Sequence, residues 1–298
     1  MFKQIRKIPR YLLKLMRCGS AKEVLHTIKA VKLEHLMIAL AARLDRKSTG
    51  VKFRNGSNVV EINNYLNLIP HRREKIEDDI YRWDFGSKQM CCNYTQLLGL
   101  QGEYLEGLFD EIYKYDCKGK KIVDIGGFVG DSALYFLSKG ASRVVIYEPV
   151  LKNLKSLSYN LKGYENRIEC YREALAAKNE PLTLASDQPE GSSSFGAEEG
   201  NYRLECMGIT ITSLLEKHQP IDAIKVDCEG GEVHLLNMSD EEIRSVPFWM
   251  VETHTKELHR SITDAFTAGF IHDLAVKTAG IGLGWICSAR PAARQLRL

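Results

Sequence analysis

The segment Val123–Asp131, which reads VDIGGFVGD, limits the fold more than any other part of the chain. A short apolar run that ends in closely spaced glycines and leads into a helical pattern is typical of a strand, a tight turn and a helix. Gly126, Gly127 and Gly130 allow the backbone to turn sharply and to approach a ligand closely. Glu148 ends the next apolar run, 18 residues beyond Gly130, where a carboxylate can accept hydrogen bonds from both hydroxyls of a ribose. The pattern predicts a nucleoside-containing ligand at the carboxyl ends of parallel strands.

Strand and helix patterns alternate from Lys121 to the end of the chain. Five apolar runs are typical of buried strands: KIVDIG, SRVVIYEP, RIECYREAL, IDAIKVD and PFWMVETH. A further strand pair, PLTLA and MGITIT, surrounds a polar loop, and two last strands near FIHDLAVKTA and GWICSAR have no helix between them. This alternation predicts a mostly parallel sheet covered on both faces, and the helix-free last connection predicts one antiparallel strand.

Composition and patterning divide the chain into three predicted parts. In residues 1–50 the pattern predicts a basic amphipathic helical extension, because apolar residues recur at helical spacing with lysines between them. In residues 51–118 the pattern predicts a hairpin that turns at Asn55 and Gly56. A mostly helical lead-in to the alternating part of the chain follows it and includes a substrate region. Residues 119–298 hold the alternating strands and helices.

Charge is spread unevenly along the chain. Residues 1–54 contain 14 Lys and Arg against 3 Asp and Glu, a balance of +11; the whole chain carries only +3, which leaves −8 on the other 244 residues. Two interpretations of the basic arm are open. It is a helical extension packed on the main body, or residues 1–47 form a basic surface that contacts anionic lipid or another acidic partner.

The cysteines and the chain start bear on the cellular compartment. The eight cysteines form no C-x-x-C pair and have no zinc spacing: Cys18, Cys91, Cys92, Cys117, Cys170, Cys206, Cys228 and Cys287. The first residues lack the apolar run of a signal peptide, and the most apolar stretch, residues 31–44, is too short and too charged to span a bilayer. We expect a cytoplasmic protein, with peripheral membrane contact through residues 1–47 as the alternative.

The residues around the glycines indicate which nucleoside is bound. A dinucleotide site has the pattern G-x-G-x-x-G, but Ile125 occupies the position of the first glycine. Asp124 stands just before the glycines, where its charge repels a pyrophosphate and attracts a cationic amine or sulfonium. The sequence therefore favours S-adenosylmethionine over NAD.

Charged residues crowd the ends of the fourth and fifth of these strands. They are Lys225, Asp227, Glu229, Glu232, Glu252 and His254. Such a cluster is costly in a core, so we expect it to face a cleft or to pair internally. His254 and Asp227 are the candidate catalytic residues, either one as the acceptor of a proton. We predict no resident metal; the alternative is Mg²⁺ bound by Asp227, Glu229 and Glu252.

These motifs, in this order, resemble the FkbM family of S-adenosylmethionine-dependent methyltransferases over roughly half of the chain. The matching pieces are VDIGGFVGDSALYF, VVIYEP, REAL, the GSSSF loop, ITSLLE, IKVDCEGGEVHLL and MVETH. The most specific piece is IKVDCEGGE, which is similar to the family signature K-[IV]-D-x-E-G-x-E. Two departures are Gly127-Phe128 after the first glycine and Cys228 after Asp227, and both look tolerable.

The resemblance implies a fold, a cofactor and a set of site residues. The fold is α/β, a Rossmann-like seven-stranded and mostly parallel sheet with an antiparallel last strand, preceded here by the helical N-terminal extension. Asp124, Gly126, Gly127 and Gly130 would bind the methionine part of S-adenosylmethionine, and Glu148 its ribose. Glu173 and Ala174 would lie near the adenine, and Asp227 beside the reactive methyl group.

The implied activity is O-methylation. The acceptor would be a hydroxyl on a sugar, on a glycan or lipid headgroup, or on a secondary metabolite. The alternative is a nucleic-acid methyltransferase or RNA-binding protein that uses the basic arm, although the acidic body argues against it. A nicotinamide-dependent oxidoreductase is disfavoured by Ile125 and Asp124, and a non-catalytic binding module by the joint presence of Asp124, Glu148, Asp227 and His254.

Overall fold

The computed structural model describes residues 72–84, 88–93, 96–97, 100, 109–186 and 202–269, together with the backbone of residues 274–279 and 283–289. The chain divides into two compact units, residues 1–108 and 109–298. Three predictions lie outside the described residues: the helical extension, the hairpin at Asn55 and Gly56, and the GSSSF loop. Among the described residues, no helix has the length and the apolar composition that crossing a membrane requires.

The described part of the first unit is a small antiparallel sheet. Its strands are β1 (Arg72–Glu77), β2 (Ile80–Asp84) and β3 (Gln89–Cys92), in the order β1-β2-β3. The prediction of a mostly helical lead-in after the hairpin is therefore wrong for residues 72–77, 80–84 and 89–92, which form strands. Ile80 and Trp83 are buried three positions apart, a spacing typical of a helix. Residues 80–84 nevertheless form a strand, because they pair with β3. The Trp83 indole N–H adds a hydrogen bond to the Cys92 carbonyl oxygen at 2.9 Å.

The second unit alternates strands and helices. In chain order it contains α1 (Phe109–Ile112), β4 (Lys121–Ile125), α2 (Asp131–Ser138), β5 (Arg143–Tyr147), α3 (Leu151–Asn160), a 3-10 turn (Glu165–Arg167), β6 (Ile168–Tyr171), β7 (Glu173–Leu175), β8 (Pro181–Ser186), β9 (Tyr202–Ile209), α4 (Ile211–His218), β10 (Ala223–Val226), a 3-10 helix (Gly231–Asn237), α5 (Asp240–Ser245), β11 (Phe248–Thr253), α6 (Lys256–Gly269), β12 (Leu274–Ala279) and β13 (Leu283–Ala289).

The main sheet has the order β12-β13-β11-β10-β4-β5-β6. Its strands β11, β10, β4, β5 and β6 are parallel, and β13 pairs antiparallel with both β11 and β12. The prediction of an α/β, Rossmann-like fold with a mostly parallel sheet is confirmed. Every residue of β10 is buried, as are all but the first of β4 and β5, which explains why these strands are continuous apolar runs rather than alternating ones.

One predicted strand divides into two. RIECYREAL forms β6 and β7, which are separated by Arg172 and belong to different sheets. Strand β7 pairs parallel with β9, and β8 pairs antiparallel with β9, so that the predicted strand pair becomes part of a second three-stranded sheet, β7-β9-β8. The sequence shows one continuous apolar run because both strands are half-buried, and only the pairing partners distinguish them.

Helix α5 begins with a capping box that the S-x-x-E spacing of Ser239 and Glu242 is typical of. The Glu242 carboxylate accepts from the Ser239 backbone N–H at 2.7 Å. Strand β11 is anchored below the site by Trp249, whose indole N–H donates to the Ile243 carbonyl at 3.0 Å and whose ring meets Phe266 of α6 edge-on. The carboxyl ends of β4, β5, β10 and β11 are thereby held on a rigid core, and all the predicted site residues but Glu173 and Ala174 lie at them or in the turns that follow.

Candidate active site

The glycine turn between β4 and α2 lies against the end of β10. Gly126 has φ +82° and Gly130 φ +86°, a backbone region that favours glycine. A Cβ atom on Gly126 would lie 1.7 Å from the Asp227 carbonyl oxygen, and one on Gly127 would lie 2.2 Å from Ile146 Cγ2. The turn is fastened to β5, because the Gly126 and Gly127 N–H groups donate to the Tyr147 carbonyl oxygen at 2.9 and 3.1 Å. The glycines therefore permit a close approach of backbone to backbone as well as any approach to a ligand.

Asp124 and Lys225 form a buried ion pair between the ends of β4 and β10. Their charged atoms lie 3.1 Å apart, and their side chains are 0% and 3% exposed. The Ser132 hydroxyl donates to the other Asp124 oxygen at 2.5 Å. Lys225 also donates to the Gly126 carbonyl oxygen at 2.8 Å and lies 3.5 Å from Asp227. Lys225 therefore connects the glycine turn, at Gly126, to the candidate catalytic residue Asp227.

The charge around Lys225 is negative overall. Burial raises the pKa of Asp124, although the Lys225 charge and the Ser132 hydrogen bond act in the opposite direction. Asp131, at the start of α2, also interacts with Lys225, and burial raises its pKa to about 6 against that attraction. Burial would lower the pKa of Lys225, but the carboxylates of Asp124 and Asp227 raise it. With three acids near one lysine, the site is suited to a cationic ligand group.

Glu148 is held rigidly at the end of β5. Its Oε2 accepts from the Phe128 backbone N–H at 2.8 Å, and its Oε1 accepts from the Val150 N–H at 2.8 Å and the Asn153 amide at 3.2 Å. Burial raises the pKa of Glu148 to about 7 even though all three hydrogen bonds favour the ionised form. Phe128 has φ +44°, so its N–H is aimed at Glu148 from a backbone conformation that few non-glycine residues adopt.

Glu173 and Ala174 lie in β7, in the second sheet rather than the main one. They pair with Met207 and Gly208 of β9, and both are partly buried. The strand β7 that contains them follows β6 after one residue, and β6 pairs with β5, the strand that Glu148 follows.

The end of β10 continues into a tight turn, residues 227–230. The Asp227 N–H donates to the Ile125 carbonyl oxygen at 3.0 Å, while Glu229 at φ +54° and Gly230 at φ +119° are both left-handed. Glu232 is completely buried beneath this turn. Its carboxylate oxygens accept from the Cys228 N–H at 2.6 Å and the Gly230 N–H at 2.7 Å.

His254, just past β11, faces three carboxylates. Its Nε2 lies 3.6 Å from Asp227 and 3.4 Å from Glu229, and its Nδ1 lies 3.5 Å from Glu232. Burial would lower the pKa of His254, but the carboxylate of Glu232, with those of Glu229 and Asp227, raises it to about 9. Conversely, burial would raise the pKa of Glu232, but His254 and the backbone donors lower it. The imidazole is therefore a cation at neutral pH.

A group with metal-ligating side chains also lies here. Asp227, Glu252 and His254 each offer one ligand atom, and these atoms lie within 4.8 Å of one another. This group contains His254, where the sequence-based alternative for Mg²⁺ had Glu229. Ser132 and Asn153 also belong to the site, and the sequence did not predict either one. The only sequence feature that marks them is that each is a polar residue on the inward face of the helix after a strand.

The described strands and helices of the second unit form a Rossmann-like α/β fold. Residues 124–271, about half of the chain, match the family described as the methyltransferase FkbM domain, and this part of the chain is a methyltransferase domain of that family. Among curated proteins, no sequence matches the chain.

Several solved structures are similar to the chain. The ribosomal protein L11 methylase from Lactobacillus delbrueckii subsp. bulgaricus is 14% identical, over 67% of this chain and 80% of that chain, with a TM-score of 0.39. The precorrin-6y C5,15-methyltransferase from Geobacter metallireducens GS-15 is 13% identical, over 63% and 88%, with a TM-score of 0.37. The C-terminal domain of the Rhodobacter capsulatus precorrin-6Y C5,15-methyltransferase is 16% identical, over 58% and 77%, with a TM-score of 0.33. Likeness of this degree says nothing about the methyl acceptor.

Proposed function

We propose that this protein uses S-adenosylmethionine to methylate a hydroxyl oxygen on a sugar, on a glycan or lipid headgroup, or on a secondary metabolite. The observation that carries the proposal is the placement of Glu148. Its carboxylate is fixed beside the glycine turn by the Phe128 N–H, where it can accept hydrogen bonds from a ribose. The membership of the FkbM family gives the reaction type, methyl transfer.

The residues at the glycine turn fit the cofactor. The amine and sulfonium of S-adenosylmethionine are cationic, and Asp124, Asp131 and Asp227 make the region negative even with Lys225 among them. A pyrophosphate would be repelled by the same charges. Glu173 and Ala174 are proposed for the adenine, as the continuation of the chain after β6.

Transfer to an alcohol requires alignment and the loss of a proton. S-adenosylmethionine, when bound, supplies the electrophilic methyl group. Transfer of that group to an alcohol would release the hydroxyl proton, which a side chain of the site would have to accept. Asp227 is 26% exposed at the end of β10 and is our choice for that base. His254 carries its own proton at neutral pH, so it acts as a hydrogen-bond donor beside Asp227 and becomes a base only above about pH 9.

A metal-assisted form of the same reaction is a second proposal, favoured by the group Asp227, Glu252 and His254. A divalent cation held there would lower the pKa of the acceptor hydroxyl. The two carboxylates suit Mg²⁺ or Mn²⁺, whereas the imidazole is a ligand that Mg²⁺ rarely takes, so Mn²⁺ fits this group better than Mg²⁺. If metal assists, a chelator removes methyl transfer and added Mg²⁺ or Mn²⁺ restores it. Unchanged transfer after exhaustive chelation would contradict the metal-assisted form and leave the metal-free one.

Calorimetric titration with S-adenosylmethionine tests the cofactor assignment. We expect saturable binding by the wild type and binding weakened at least tenfold in Glu148→Gln, since a lost charge-assisted hydrogen bond costs about 1.5–3 kcal/mol. Glu165→Gln is the matched control, because Glu165 also accepts a backbone N–H, from Gly163, but lies exposed on the surface. Binding of NAD instead, or no binding by folded wild type, would contradict the proposal.

The position of the new methyl group tests the acceptor class. The protein is incubated with cell extract and S-adenosylmethionine labelled with ¹³C in the methyl group, and the products are analysed by NMR. We expect a methoxy carbon signal, because the proposed acceptor is a hydroxyl. Labelled N-methyl or C-methyl groups would show that the protein is a methyltransferase of another acceptor class.

A further inference from the structure

We propose that Glu232 is a positioning residue for the transfer step, which holds the turn 227–230 and the His254 ring in the arrangement that presents Asp227 to an acceptor. The proposal rests on the proposed methyl transfer. Glu232 itself is completely buried, so it cannot touch a substrate and acts only through other residues.

The turn 227–230 is held by the Glu232 carboxylate. Glu229 and Gly230 are consecutive left-handed residues, and such a conformation costs a residue other than glycine about 1–2 kcal/mol. The two Glu232 oxygens accept one backbone N–H from each side of Glu229, those of Cys228 and Gly230. Hydrogen bonds to an ionised acceptor are roughly twice as strong as neutral ones, so a single carboxylate offsets the strain of the turn. The direction of Asp227 and Glu229 therefore depends on Glu232.

The His254 imidazole is also positioned by Glu232. Glu232 faces Nδ1 of His254 at 3.5 Å, while Asp227 and Glu229 face Nε2 on the opposite side of the ring at 3.6 and 3.4 Å. The ring thus lies between a buried carboxylate and two partly exposed ones. The Glu232 carboxylate, fixed on the buried side, limits where the ring can lie and leaves its Nε2 edge for Asp227 and the acceptor.

Glu232 is itself held by a helix that packs on the core. It is the second residue of the 3-10 helix Gly231–Asn237, whose Leu235 is 1% exposed in the hydrophobic core. Gly231 before it has no room for a side chain, since a Cβ atom there would lie 2.8 Å from Cys228 Sγ. The carboxylate is therefore attached to a rigid element and can fix a turn that is itself irregular.

Glu232→Gln is the test variant, with Glu242→Gln as its matched control. Glutamine has one acceptor oxygen, so in either amide orientation an NH₂ group meets the N–H of Cys228 or Gly230, and the charge beside His254 is lost. Glu242 also accepts a backbone N–H, that of Ser239, but belongs to the exposed capping box of α5. Four quantities are measured: affinity for S-adenosylmethionine, initial rate of ¹³C-methyl transfer in extract, hydrogen exchange at residues 228 and 230, and the ring nitrogen NMR signals of His254.

We expect Glu232→Gln to retain most of the wild-type affinity for S-adenosylmethionine, because Glu148, Asp124 and the glycine turn keep their own hydrogen bonds and only the direction of the Asp227 side chain changes. The transfer rate should fall on the order of 100-fold, as misplaced reacting groups do. Exchange at 228 and 230 should accelerate, and the His254 signals should shift. Glu242→Gln should match the wild type in all four. Glu232→Asp retains the charge but shortens the reach; it should recover part of the rate, and it replaces Glu232→Gln if that variant does not fold.

Three results would overturn the proposal. One is a wild-type transfer rate in Glu232→Gln, and another is an equal loss of cofactor affinity and rate, which would show a general structural role. The third is an unchanged His254 signal. If the wild type itself neither binds S-adenosylmethionine nor methylates anything, the proposed function fails, and the exchange and NMR data still decide whether Glu232 holds the turn and the ring.

Discussion

At the scale of single residues, Glu148 shows burial acting against hydrogen bonding. Three N–H donors favour its ionised form, yet removal from water is the larger effect and raises its pKa to about 7. The position of this acid was predictable from the sequence, since it ends an apolar run at the expected distance from the glycines. Its pKa was not predictable, because its burial and its hydrogen bonds with Phe128 and Asn153 arise only when the chain has folded.

We expect the affinity for S-adenosylmethionine to depend on pH through Glu148. A ribose hydroxyl donates to a carboxylate, so binding needs the ionised form, and affinity should fall by about tenfold for each pH unit below 7. The folded-state pKa is above the ordinary value of 4.5, so for the free protein Glu148 favours folding at low pH and loses that contribution as pH rises through 7. Calorimetry between about pH 6 and pH 8 measures the affinity, and Glu148→Gln should abolish this step in the profile; an equal step in the variant would assign it to another group.

At the scale of elements, the turn between β4 and α2 is fixed by its contact with the end of β10. Local patterning predicted the helices and most strands of the second unit because their apolar periods are strong. It failed where the period was ambiguous: Ile80 and Trp83 have helical spacing in β2, and β6 and β7 form one apolar run although they pair in different sheets. Pairing partners are distant in sequence, so no local pattern contains them.

Replacing Gly126 by alanine should destabilise the protein more than the same change at Gly163. Both glycines have positive φ, +82° and +95°, so both alanines carry backbone strain of about 1–2 kcal/mol. Only at Gly126 does the new Cβ atom meet another group, the Asp227 carbonyl oxygen at 1.7 Å; at Gly163 nothing lies within 4 Å. Forcing β4 and β10 apart should add about 1–3 kcal/mol. Urea denaturation measures both free energies of unfolding, and equal losses would show that the contact carries no cost.

At the scale of the whole molecule, charge is divided between a basic arm and an acidic body. The arm holds +11 over residues 1–54, and the remaining residues hold −8. We propose that residues 1–47 contact anionic lipid and bring the active site near an acceptor on the membrane. The proposal rests on charge and apolar spacing in the sequence.

The full chain should pellet with vesicles that contain anionic lipid at low salt, and should remain in the supernatant at high salt or with neutral vesicles. Each lysine near an anionic surface contributes about 1 kcal/mol. The joint change Lys29→Glu and Lys32→Glu should therefore remove most of the pelleting. Lys178→Glu is the control, a lysine on the acidic body whose side chain is 72% exposed. Salt-insensitive pelleting, or equal loss in the control, would argue against an electrostatic contact by the arm.

The sequence by itself determined the alternating strands and helices, the tight glycine turn and the chain positions of Asp124, Glu148, Asp227 and His254, because apolar period, glycine and spacing are local properties. Only the tertiary structure decided how these groups act on one another. Lys225 pairs with Asp124 from the neighbouring strand β10, which is distant from β4 in sequence. The pKa of His254 is raised because Glu232, Glu229 and Asp227 are brought around its ring. Electrostatic energy depends on distance and burial, and both are set when the chain packs.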